Sequence, residues 1–232
     1  MKGVAIIPAR GGSKRLPRKN ILDFCGIPMI NWTINAARKT NLFDKVIVST
    51  EDDEIAEISK NAGADVDKRD DFLATDEVTV NMVCEDLLDK YERLGNDYQF
   101  FCCLYATAPL RNANDIVNTV NLVMSESCQQ AMAVTNFNLP AFQAMFFTPE
   151  GELSPLMPGL IYKRSSDLSE IVVDNGSTYV STVSAFRNTK KLLAPNMMGY
   201  KMHSMRSVDI DDESDYKLAL HYADILKVKN TA

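Results

Sequence analysis

The sequence predicts an α/β fold in three layers, a mainly parallel sheet with helices on both faces. Three observations carry this expectation. Apolar runs of strand character recur at 4–7, 46–48, 100–104 and 132–134. Segments of helical rather than alternating period lie between them. The first run also ends in a glycine-containing turn.

Taken in order, the elements follow from local chemistry. A helix starts near Pro28, whose ring suits a first helical turn, and runs through Trp32, Ile34, Ala36 and Ala37. The strand at 46–48 leads to a helix over 52–61, closed by Gly63. Val80, Val83, Cys84, Leu87, Leu88 and Tyr91 form the core-facing stripe of an amphipathic helix. In the strand at 100–104, Cys102 and Cys103 should face opposite sides of the sheet. A helix over 115–124 and a strand at 132–134 continue the alternation. Right-handed crossovers then gather the strand carboxyl ends, and with them a site, along one edge.

After Asn136 the rhythm changes. Residues 142–174 are rich in Pro, Gly, Ser and charge, with Glu150-Gly151 a hairpin turn. Phe146, Phe147, Leu156, Met157, Leu160, Ile161 and Tyr162 nevertheless need burial, which a second subunit would supply. The expected organisation is a main domain over 1–140 and 175–232, with an inserted dimerisation subdomain over 141–174. The main domain resumes with a strand at 178–183 and ends with a strand at 208–211 and a helix over 213–226.

A length of 232 residues suits one domain with at most a modest appendage. No apolar run approaches the roughly 20 residues that span a bilayer. The opening Met-Lys passes straight into a strand with no secretory pattern, so a cytoplasmic protein without membrane partners is expected. Five cysteines, an odd number without paired spacing, support neither a disulfide framework nor a zinc site. A net charge of −6 argues against a nucleic-acid partner. Yet Arg10, Lys14, Arg15, Arg18 and Lys19 fall close together with no acid among them. A short cationic loop in an acidic protein suits a small polyanion.

That loop, Pro8 to Asn20, follows the first strand directly and contains Gly11 and Gly12. The glycines let backbone N–H groups approach an anion, and the basic side chains add charge-assisted bonds to phosphate oxygens. It is neither a Walker A loop nor a dinucleotide fingerprint. The second motif is Asp209-Ile210-Asp211. Carboxylates two apart on a strand share a face and suit Mg²⁺, which takes one or two carboxylates plus substrate phosphates. The alternative is a cap, since Asp211, Asp212 and Asp215 lie where acids favour the next helix's N-terminus.

The stretch from Ile7 to Lys14, with Arg18-Lys19-Asn20, resembles the signature of the acylneuraminate (sialic acid) cytidylyltransferases. Val48 to Asp52, Arg69 with Leu73-Ala74-Thr75-Asp76, Thr107 to Arg111, Tyr162 to Leu168, Asn175-Gly176 and Asp209-Ile210-Asp211 match in the same order. The resemblance implies a Rossmann-like nucleotidyltransferase fold, a homodimer, and transfer of CMP from CTP to a nine-carbon sugar acid. On this sequence it implies that Arg10, Gly11, Gly12, Ser13, Lys14, Lys19 and Asn20 hold the phosphates. Lys19 and Arg10 would act on the reacting phosphate, and Arg69, Ala74 and Asp76 would lie near cytosine and ribose. Asp209 and Asp211 would bind Mg²⁺, while Tyr105, Thr107, Arg164 and Asn175 would face the sugar acid.

Tyr105-Ala106-Thr107-Ala108-Pro109, the run from Arg164 to Leu168, Glu170 and Asp174 resemble the pseudaminic acid branch of that family. Competing readings are a cytidylyltransferase for the eight-carbon acid Kdo, a glycosyltransferase with an Asp-x-Asp metal site, and a non-catalytic nucleotide-binding protein. Arg18-Lys19-Asn20-Ile21 stands where the Kdo enzymes read Gly-Lys-Pro-Leu. Glycosyltransferases carry their paired aspartates mid-chain.

Overall fold

A computed structural model of the chain describes residues 2–70, 73, 75, 77–137 and 141–228. In chain order its elements are β1 (Gly3–Pro8), β2 (Asp23–Phe24), β3 (Ile27–Pro28), α1 (Met29–Lys39), β4 (Lys45–Thr50), α2 (Asp53–Asn61) and β5 (Asp65–Lys68). There follow α3 (Val80–Arg93), β6 (Phe100–Leu104), α4 (Ala113–Met124), β7 (Gln130–Asn136), β8 (Met145–Phe147) and β9 (Leu153–Pro155). The chain continues with β10 (Val172–Thr182), α5 (Val183–Thr189), β11 (Met198–Lys201) and α6 (Glu213–Ile225).

The main sheet has seven strands in the order β11-β7-β10-β6-β1-β4-β5 among the described residues. All neighbours pair in parallel except β10, which runs antiparallel to both β6 and β7. Period-two alternation divides the strands' apolar residues between two cores. Ala5, Ile7, Val46, Val48, Phe100, Cys102 and Leu104 pack with Ile30 and Ile34 of α1, Ile55 of α2 and Ile116 and Val120 of α4. Val4, Ile6, Ile47, Phe101 and Cys103 face the other way, onto Cys84, Leu87 and Leu88 of α3 and Phe186 of α5. The three expected layers are therefore present, and Cys102 and Cys103 do lie on opposite faces. Each fully buried Phe, Ile or Leu contributes about 1.5–3 kcal/mol, so β6, buried along its whole length, anchors the centre.

Helix starts follow their side chains. Asp52 and Thr79 cap α2 and α3, and Asn112 with Asp115 closes a reciprocal capping box on α4. The five cysteines are free thiols. Among the described residues no helix is long and apolar enough to cross a membrane.

Several expectations need correction. The edge strands β5 and β11, the short pair β2–β3 and helix α5 were not expected. β10 begins at Val172 rather than at 178, and Val183 already belongs to α5. Residues 208–211 form no strand of the sheet. Their alternation is real, because Val208 and Ile210 are buried with α6 while Asp209 and Asp211 stand partly open. The segment is held on the sheet side by a hydrogen bond from Ile210 N to Thr107 O at 2.9 Å. In the 141–174 region, β8 and β9 form a separate two-stranded hairpin turning at Gly151, as the Glu150-Gly151 pair suggests.

Candidate active site

β1 delivers the cationic loop to the carboxyl edge of the sheet. Ala9 N still bonds Ser49 O at 3.0 Å; beyond it the chain leaves the sheet and returns in a 3₁₀ turn at Lys19–Ile21. Buried Asn20 closes this loop by donating to Arg10 O at 2.8 Å. Arg18, with φ 58, pairs with Asp52 and Glu54 and so ties the loop to the start of α2. Its hydrogen bond holds the Asp52 carboxyl below the ordinary aspartate value.

Gly11 plays a different part from the one expected. Gly11 N donates to Glu51 Oε1 at 2.7 Å, so that N–H is already engaged by the protein. A Cβ at Gly11 would stand 2.5 Å from an Asp52 carboxylate oxygen, which makes close packing the reason for glycine there. Neither Gly11 nor Gly12 has a positive φ, and neither lines the cleft beside the loop.

That cleft encloses about 500 Å³. Arg10, Ser13, Lys14, Lys19, Asn20 and Arg69 all line it, as do Tyr105 and Thr107. Ala74 and Asp76 lie outside the described residues. Arg69 is buried with its guanidinium on Ser49 O at 2.7 Å, and burial lowers its pKa against the pull of Glu51 and Asp67. The floor is stiffened by Arg111, only 2% exposed, which donates to Ser177 O at 2.7 Å, Tyr105 O at 3.3 Å and Thr33 Oγ1 at 2.7 Å. Burial pushes the Arg111 guanidinium down to about 10.

The paired aspartates reach the same edge from the far end of the chain. Lys19 Nζ donates to Asp211 Oδ1 at 2.8 Å and to Ile210 O at 3.1 Å, and Arg15 donates to Asp211 Oδ2 at 2.6 Å. Burial alone would raise the Asp211 carboxyl, but Lys19 and Arg15 outweigh it and hold it below the ordinary value. Asp209 accepts the Thr107 hydroxyl, and burial, reinforced by the charge of Asp211, raises its carboxyl. Gly176, φ 60, leaves room for that carboxylate; a Cβ there would lie 2.2 Å from Asp209 Oδ2. Capping falls instead to Asp212, which accepts from Ser214 N at 2.8 Å and Asp215 N at 3.1 Å, with Asp215 answering in a capping box. Asp209 and Asp211 are thereby left to face the clefts.

A second cleft of about 410 Å³ opens on the other side of Asp209, between Thr135, Asn136, Asp174, Gly176 and Ser207. Asn175 belongs to its wall, but its amide is turned inward. It is 4% exposed, donates to Ser207 Oγ at 3.1 Å and accepts from Ser177 Oγ at 2.8 Å. Arg164 lines neither cleft; it is exposed on the segment that follows the β8–β9 hairpin. Arg15 and Asp174 are the residues missed as site members. Arg15 was visible only as one of five clustered cations, and Asp174 only within the resemblance.

The donor set fits a magnesium ion in a limited way. Among the described residues no cluster of three or more acidic, His or Cys side chains gathers around one point. Asp211 lines the cationic cleft and Asp209 the second cleft, close enough to feel each other's charge, two carboxylates of the number Mg²⁺ takes when phosphates complete its shell.

Comparisons with known proteins show the family and the fold. A family model described as cytidylyltransferase matches residues 4–145, more than half of the chain. A pseudaminic acid cytidylyltransferase of Campylobacter jejuni is 32% identical over 220 residues, covering 94% of this chain and 95% of that protein. An N-acylneuraminate cytidylyltransferase of Escherichia coli is 32% identical over 222 residues, which cover 94% of this chain and 51% of that protein. Among solved structures, CMP:2-keto-3-deoxy-manno-octonic acid synthetase complexed with CTP superposes with a TM-score of 0.70 at 16% identity, covering 98% of this chain and 99% of that one. This last likeness speaks for the fold alone.

Proposed function

Because the chain belongs to the cytidylyltransferase family, we propose that it couples CTP to a nine-carbon sugar acid of the sialic type, with pseudaminate favoured and N-acylneuraminate next. The observation that carries this reading is the junction of two clefts at Thr107 and Asp209, one cationic and one not, with Lys19 and Asp211 beside it. A triphosphate suits the first cleft and a polyhydroxylated acceptor the second.

In this reading Arg10, Ser13, Lys14 and Asn20 position the phosphates, and Arg69 sits near the base with Leu73 and Thr75, which line the same cleft. The anomeric hydroxyl of the acid attacks the α-phosphorus in line, its proton leaves, and the bond to pyrophosphate breaks. Such a transfer needs positioning and charge stabilisation more than a covalent nucleophile. Lys19 supplies a fixed positive charge at the reacting phosphate, and Arg10 shares it. Asp209 and Asp211 would hold Mg²⁺, which offers Lewis-acid stabilisation of the phosphate oxygens. Thr107 orients Asp209, and Tyr105 lines the first cleft with its ring packed on Tyr179.

The β8–β9 hairpin supports a homodimer. Phe147 is 76% and Tyr162 92% exposed, and Met145, Phe146, Leu153 and Leu156 are exposed beside them. An apolar projection of that size is covered by a second copy of the chain in this proposal, making the part of 141–174 that precedes β10 at Val172 a dimerisation subdomain. Arg164 on that arm would then serve the sugar acid in the partner's cleft, since it serves neither cleft of its own. The five free thiols suit the cytoplasm, where the reaction is assigned.

The test is pyrophosphate release from CTP and Mg²⁺ with pseudaminate, N-acetylneuraminate, legionaminate and Kdo as separate acceptors. Release with a nine-carbon acid is the expected result. Release with Kdo alone, or with none of the four by folded protein that binds CTP, overturns the acceptor assignment.

A further inference from the structure

β10 is irregular where it borders the second cleft. Its register against β7 shifts between Asp174 and Tyr179, and Gly176 in this stretch takes φ 60. Such a bulge re-aims side chains. Here it folds the Asp174 carboxylate back over its own strand, where the Tyr179 hydroxyl donates to both oxygens at 2.9 and 2.8 Å. Gly176 N adds a third bond to Asp174 Oδ1 at 3.0 Å. The Tyr179 ring is itself buried and packs on Tyr105, centroids 5.3 Å apart. Neither donor is charged, so these bonds fix the Asp174 carboxylate without neutralising it. Asp174 nonetheless stays exposed, on the wall of the cleft that Asp209 also lines.

An ionised carboxylate only accepts hydrogen bonds. Pinned at one place in the acceptor cleft, it favours a ligand that offers an N–H or O–H there and disfavours one that offers its own carboxylate. An amide N–H is the most selective answer, because it donates and never accepts. We propose that Asp174 is a specificity-determining residue that accepts a hydrogen bond from an acylamino N–H of the sugar acid, with Tyr179 and Tyr105 as its positioning base. This rests on the function proposed above and names how the same site reads its acceptor.

The experiment measures initial rates of pyrophosphate release for the full chain, Asp174→Asn and Tyr179→Phe, using whichever of the four acids the unsubstituted protein turns over best. Asn keeps an oxygen for Tyr179 and Gly176 but loses the charge. The expected result for Asp174→Asn is a KM for the acid raised about 10- to 100-fold, the range of a lost charge-assisted bond. The KM for CTP and the thermal midpoint should hold, and Tyr179→Phe should give a smaller rise in the same constant. An unchanged KM for the acid in Asp174→Asn overturns the proposal while leaving the function intact. Equal losses in both KM values together with a lower thermal midpoint overturn it in favour of a purely structural role. Silence of the unsubstituted protein with every acid overturns the function and this assignment together.

Discussion

Lys19 and Asp211, 192 residues apart in sequence, meet in a hydrogen-bonded ion pair of 2.8 Å at the carboxyl edge of the sheet. The pair joins the cationic loop after β1 to the segment before α6. It holds the Lys19 ammonium between the Asp211 carboxylate and the cationic cleft. Removal of that charge should therefore touch the chemical step more than the fold.

Lys19→Met is expected to lower kcat by about 10²- to 10³-fold, the scale for losing one preorganised donor at developing charge. Arg15 still neutralises Asp211 at 2.6 Å, so the thermal midpoint should change little. Steady-state rates and a thermal melt on the same preparation check both halves.

Asp209 and Asp212 stand three residues apart with separate tasks, and substitution should split them. Asp209→Asn is expected to cost activity and to raise the Mg²⁺ concentration needed for half-maximal rate. Asp212→Ala removes the α6 cap and should lower the thermal midpoint by a few degrees while kcat holds. A Mg²⁺ titration with each variant decides; identical behaviour of the two would count against the division.

Gly176→Ala would place a methyl group 2.2 Å from Asp209 Oδ2 at a φ that disfavours side chains. Displacement of Asp209 is expected to cost about 10- to 100-fold in kcat, as small misplacements at a reacting centre do. Gly12→Ala, whose Cβ meets nothing within 4 Å, is the control and should leave kcat unchanged.

The Arg18–Asp52 pair makes a pH prediction. The hydrogen bond from Arg18 depresses the Asp52 carboxyl, and a depressed carboxylate contributes stability above its unfolded value, about 3.9, that is lost as pH falls through the folded value. Asp52→Asn keeps an oxygen for the cap on Ile55 N, held at 2.9 Å. The stability difference between the two proteins should be present at neutral pH and close below about pH 3.9. Urea unfolding at both pH values measures it.

Much of this was legible in the sequence, for identifiable reasons. β1, β4, β6 and the stripe of α3 are buried on both faces or on one regular face, so their apolar spacing announces them. β5 reads Asp-Val-Asp-Lys and lies at one sheet edge, and β11 at the other reads Met-Gly-Tyr-Lys. Edge strands carry charge and lack the continuous apolar run that marks a central strand, which is why both escaped. The aspartates at 209 and 211 were found by their period of two even though no ladder holds them, because burial of Val208 and Ile210 imposes the same alternation. What spacing could not show was tertiary company. Nothing near Gly11 says that Glu51 will take its N–H. Nothing near Asn175 says that Ser207 will take its amide N–H and help turn it inward. Arg15 and Asp174 are defined as site residues by Asp211 and by the second cleft, relationships no local window contains.

Labelled CTP follows the transfer of CMP from CTP to a sugar acid atom by atom. With the label on the α-phosphate and pseudaminate present, it should appear in a phosphodiester to the sugar, and a γ-label should leave as pyrophosphate in equal amount. The contrary result is an α-label that never joins the acid, together with consumption of a preformed nucleotide sugar and release of the free nucleotide, which would make the protein a glycosyltransferase.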